Sequence, residues 1–130
     1  MSRRSDDELA RSWHDLMGNY HRLTCLLDRE LEAAHGISVS DFEILQQLYG
    51  SGPARSMRMH DLAENVHLTQ SALSRLVARL ERDQLVERSM CADDRRSVFT
   101  TITDAGVARY LEARPTQRAI LRGQSLAIQG

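Results

Sequence analysis

Lysine does not occur in this 130-residue chain, so all 17 of its basic side chains are arginine. Cysteine and proline occur twice each, tryptophan once, and aromatic residues make up only 5% of the sequence. Cys25 and Cys91 lie far apart with no CxxC pair, which excludes a disulfide framework and a zinc ribbon. No apolar run approaches the roughly 18 residues of a membrane-spanning helix. The opening MSRRSDDEL lacks the apolar core of a secretion signal, so a soluble, cytoplasmic protein is expected. A glycine-rich phosphate loop, a GxSxG elbow and an HExxH helix are all missing. The five histidines are scattered without a Ser, Cys or Asp partner, so neither enzyme activity nor a cofactor is expected.

What is present fits one domain: 42% apolar and 27% charged residues, near the average for globular chains. The net charge is only −1, but its distribution is uneven. Residues 1–54 hold five Arg against nine acidic groups, and residues 55–130 hold twelve Arg against nine. Arginine's planar fork suits phosphate and guanine, so the second part is where an anionic partner is expected.

Along the chain, Ser5-Asp-Asp-Glu8 reads as a capping box. Behind it Leu9, Trp13, Leu16, Met17, Tyr20, Leu23, Leu27 and Leu31 keep a 3.6-residue period until Gly36. This predicts one long helix, whose stripe suits packing against a partner chain. A second capping box is expected at Ser40-Asp-Phe-Glu43, with Val39 and Ile44 as its hydrophobic staple, and the breakers Gly50-Ser-Gly-Pro53 end that helix. A short helix over Met59–Val66 follows. Thr69 then caps a helix reaching about Asp83, with Leu73, Leu76, Val77 and Leu80 facing inward. After it the period drops to two, at Val86 and Arg88 and again at Val98, Thr100 and Ile102, around a charged tip at 91–96. Thr103 starts a further helix carrying Val107, Tyr110 and Leu111, expected to be interrupted at Pro115.

Short helix, four-residue turn, second helix and charged hairpin compose a winged helix-turn-helix, whose second helix enters the major groove N-terminal residues first. Gln70, Ser71, Ser74 and Arg75 occupy those first turns. Arg pairs bidentately with guanine, Gln with adenine, and Ser with either. A solvent-facing helix surface must be polar in any case. Two serines near a helix start nevertheless lower helicity, and contact or capping roles explain them better. Arg95 and Arg96 at the hairpin tip suit phosphate contact or the minor groove, with Asp94 expected to hold Arg96 in place.

LTQSALSRLVARLERDQLVER followed by DDRRSVFTTITDAG resembles the multiple antibiotic resistance regulator (MarR) family of transcription factors, over roughly residues 5–112. The resemblance implies a mainly α fold with a small β-wing: one domain over 1–130, a winged helix-turn-helix at 38–103, and dimerisation helices at 5–35 and 104–130. It implies a homodimer on a pseudo-palindromic operator of double-stranded DNA, acting as a repressor that responds to a small aromatic or anionic effector. By position, Thr69, Gln70, Ser71, Ser74, Arg75, Arg79, Asp94 and Arg96 correspond to DNA contacts, with Thr69 and Arg79 on phosphates. Trp13, Met17, Phe42 and Arg88 correspond to an effector pocket. The chain departs from the family at Gln84, where a left-handed C-cap favours glycine, and in a shorter final helix. No metal site is expected. The alternatives are a winged helix that serves protein contact, or sensing of metal or oxidant through His21, Cys25 or Cys91.

Overall fold

The computed structural model describes residues 4–91, 94–125 and 128, and the side chains of residues 91 and 94–96 lie outside what it describes. Helix α1 (Asp6–His35) is followed by α2 (Val39–Tyr49), strand β1 (Ser56–Arg58), α3 (Met59–Asn65) and α4 (Gln70–Arg82). Strands β2 (Val86–Cys91) and β3 (Asp94–Ile102) form the hairpin, and α5 (Asp104–Gly123) closes the chain. The three strands make one antiparallel sheet in the order β1-β3-β2. Its register sets Met57 and Arg88 on either side of Thr100, and a bulge falls between Met90 and Cys91.

Every helix but α3 starts on a hydroxyl cap. Ser5 Oγ accepts from the Glu8 amide at 3.1 Å, Thr69 Oγ1 from Ala72 at 3.1 Å, and Thr103 Oγ1 from Gly106 at 3.0 Å. Each satisfies one donor that the first turn of a helix otherwise leaves unpaired, typically stabilising by about 1 kcal/mol. The cap of α2 differs from expectation. The box is Ser38 with Asp41, not Ser40 with Glu43: Ser38 Oγ accepts from the Asp41 amide, and Asp41 Oδ2 accepts from the Ser38 amide. Both registers satisfy the motif. Burial decides between them, since starting at Ser38 puts Ile37 and Phe42 at the staple positions, 2% and 0% exposed.

Two further departures are physical. Strand β1 is three residues long, too short to show a period in the sequence, and it exists because β3 offers it a free edge. Helix α5 continues through Pro115 to Gly123 rather than stopping. Proline removes one backbone donor, but Ala113 and Gln117 on either side are buried and Ile120 packs on the core, so tertiary packing carries the helix across the gap.

The core gathers Phe42, Ile44, Leu45 and Leu48 of α2, Leu62 of α3, and Leu73, Val77 and Leu80 of α4 against Tyr110 and Ala113 of α5. Only the C-terminal part of α1 joins it, through Leu27 and Leu31. Among the described residues no helix is long and apolar enough to cross a membrane.

Candidate nucleic-acid interface

Helix α4 buries Leu73, Val77 and Leu80, which lie on one face at helical spacing. That burial fixes what the rest of its surface presents. Gln70, Ser71, Ser74 and Arg75 are all exposed in its first two turns. Gln70 and Ser71 also bring their backbone N–H groups to the positive end of the helix, a ready anion site. The hairpin β2–β3 stands beside this face. Arg58, His60, Gln70, Ser74, Arg88 and Ser97 line an open cleft of about 580 Å³ between α3, α4 and the sheet.

Two ion pairs fix the helix in this position. One terminal nitrogen of Arg79 donates to both carboxylate oxygens of Asp41 at 2.7 Å, tying α4 to α2. Asp41 is buried while Arg79 is half exposed, and the hydrogen bond and charge of Asp41 raise the arginine's already high pKa further. At the other end, Glu81 Oε1 accepts from Nε and Nη2 of Arg88 at 3.2 and 2.9 Å, and its Oε2 accepts from the Arg88 amide. These hydrogen bonds hold the Glu81 carboxyl below its ordinary value. Both residues are more than a third exposed, so this pair orients the wing more than it stabilises the fold.

The helix ends in a left-handed turn. The Gln84 amide donates to Glu81 at 3.0 Å and the Leu85 amide to Leu80 at 2.9 Å, with Gln84 at φ 65°. This is the Schellman arrangement. Gln84 therefore adopts the conformation that glycine would take at this cap. Helix α3 ends the same way, with His67 at φ 59° and the Leu68 amide donating to Ala63.

Comparison with known proteins bears on this arrangement directly. The profile of the MarR family matches residues 37–98. A MarR family transcriptional regulator from Streptomyces coelicolor, solved in complex with DNA, is 30% identical, with a TM-score of 0.83 over 95% of this chain and 76% of that one. The chain belongs to the MarR family. AbsC, a second MarR regulator from Streptomyces coelicolor, is 29% identical with a TM-score of 0.82, over 98% of this chain and 84% of AbsC. The homoprotocatechuate degradative operon repressor of Escherichia coli is 30% identical over 86 residues, 66% of this chain and 56% of the repressor. MhqR of Bacillus subtilis is 26% identical over 85 residues, 65% of this chain and 57% of MhqR. The chain thus matches little more than half the length of these curated relatives.

Within this MarR fold the residues singled out from the sequence separate into groups. Thr69, Gln70, Ser71, Ser74 and Arg75 come together at the exposed start of α4. Arg79 was expected on a phosphate, but its guanidinium is engaged by Asp41, a partner 38 positions away that helical periodicity does not reveal. The side chains of Asp94, Arg96 and Cys91 lie outside the described residues. The four effector-pocket residues are not brought together. Phe42 is fully buried, Trp13 and Met17 are 60% and 44% exposed on α1, and Arg88 is tied to Glu81 on the wing. His21 Nε2 and Cys25 Sγ stand 3.7 Å apart on α1, and among the described residues no third His, Cys, Asp or Glu joins them as a metal-binding group.

Sequence reasoning missed Arg58 and His60, which line the same cleft as Gln70 and Ser74. No motif marks them. They reach the cleft because β1 and the start of α3 are folded against β3.

Proposed function

We propose that this protein is a cytoplasmic, homodimeric repressor that reads a pseudo-palindromic operator of double-stranded DNA, one half-site per protomer. The observation that carries the reading is the exposed, polar first two turns of α4, held between two ion pairs beside a β-wing. Arg75 reads guanine, Gln70 reads adenine, Ser71 and Ser74 add contacts at base edges, and Thr69 with the first amides of α4 meets a phosphate. Arg79 acts from within, by locking the reading helix to α2.

The dimer rests on α1. Leu9, Trp13, Leu16, Met17 and Tyr20 leave 50, 60, 56, 44 and 72% of their surface exposed along one stripe, which a second copy would cover. An effector, a small aromatic or anionic molecule, would act where this interface meets the winged part, loosening the grip on DNA.

Selection from a random duplex library is the test. The expected product is an inverted repeat with half-site centres about one helical turn, roughly 34 Å, apart. Arg75→Ala weakens binding by about 1–3 kcal/mol and relaxes one position per half-site. A winged helix serving protein contact would select no sequence and would be indifferent to Arg75, and that outcome overturns the proposal.

A further inference from the structure

His60, the second residue of α3, contacts the reading helix without belonging to it. Its Nε2 lies 3.2 Å from Glu64 Oε1, one helical turn on, and its Nδ1 lies 3.4 Å from Gln70 Nε2 across the turn. A carboxylate only accepts hydrogen bonds, so the His60 Nε2 carries the hydrogen in this pair. In the neutral ring Nδ1 then has a lone pair and can only accept. The group of Gln70 that meets it must donate, and that group is the amide nitrogen. Glu64 thereby sets the ring, and the ring sets the carboxamide.

We propose that His60 is a positioning residue for base recognition, fixing the Gln70 carboxamide so that Oε1 and its second N–H face the major groove. The inference rests on the reading of α4 proposed above. Adenine presents an N7 acceptor beside an N6 donor, and the freed oxygen and N–H match that pair. Guanine presents two acceptors, N7 and O6, and would oppose Oε1 with one of them. An unpinned glutamine offers either orientation by turning its terminal torsion, which is broad and roughly two-fold. His60 selects one of the two before DNA arrives, which reduces the ordering cost of binding. The acid behind it is replaceable in kind but not in role, because Glu64 must accept for Nδ1 to be free.

The test compares base preferences of full-length variants on the selected operator and its single-base substitutions. Gln70→Ala identifies the base pair that Gln70 reads. His60→Ala is expected to lower the preference for adenine at that pair by roughly five- to tenfold, with other positions unchanged. His60→Asn, whose Oδ1 can accept where Nδ1 did, is expected to restore most of it. The double variant His60→Ala with Gln70→Ala should match Gln70→Ala alone. The His60 side chain is 73% exposed, so these changes leave the core intact. Wild-type preference in His60→Ala, or a loss spread evenly over all positions, overturns the role of His60 while base reading by α4 stands. A Gln70→Ala protein with an unaltered preference at every position overturns both.

Discussion

Gln84 and His67 are the two residues at which α4 and α3 turn out of their helices, and both carry a side chain where the backbone is left-handed. Each costs on the order of 1 kcal/mol relative to an unstrained residue. Gln84 is exposed and its side chain supports nothing in the core, so Gln84→Gly relieves the strain against a smaller loss of chain entropy. We expect this variant to gain about 0.5–1 kcal/mol in chemical denaturation, and an unchanged or lower stability would show that Gln84 contributes a contact of its own. This residue was legible through the family resemblance, which places glycine at the left-handed cap where this chain has Gln84. Arg79 was not. Its partner Asp41 belongs to another helix, and only folding brings a buried carboxylate to an arginine that looked free. His60 was illegible for the same reason, as one histidine among five without a motif.

At the scale of elements, periodicity and caps located α1, α3, α4 and the hairpin, since each is marked by a repeat of 3.6 or 2 or by a hydroxyl. β1 was lost because an edge partner makes it, and the expected interruption at Pro115 does not occur because packing carries α5 across the proline. The turn after α4 and the start of α5 are closely packed. Thr103 Oγ1 accepts from Gly106 and donates to the Gln84 carbonyl at 2.7 Å, and the Thr103 amide donates to Leu85 at 3.1 Å. A Cβ on Gly106 would stand 2.1 Å from the Leu85 carbonyl oxygen, which is backbone and cannot rotate away. Gly106→Ala must push α5 off this turn. A loss of about 1–3 kcal/mol is expected by thermal or urea unfolding, and a variant as stable as the parent would mean that α5 does not seat this closely.

For the whole molecule, the question is what covers the first helix. A chain of this size buries its apolar stripe when it can, yet the N-terminal half of α1 projects past the core with Trp13 and Tyr20 uncovered. Leu16→Glu places a charge in the middle of that stripe. If two copies pair there, sedimentation of this variant should show a monomer at concentrations where the parent is a dimer, because an unpaired charge in an apolar interface costs several kcal/mol. A parent that sediments as a monomer refutes the proposed interface. Joined to the winged part at Thr103 and Gly106, α5 is 20 residues long, about 30 Å from end to end. Tyr110, Ala113 and Gln117 seat its length in the core, so a displacement of its later turns would reach the turn that follows α4 along one rigid rod.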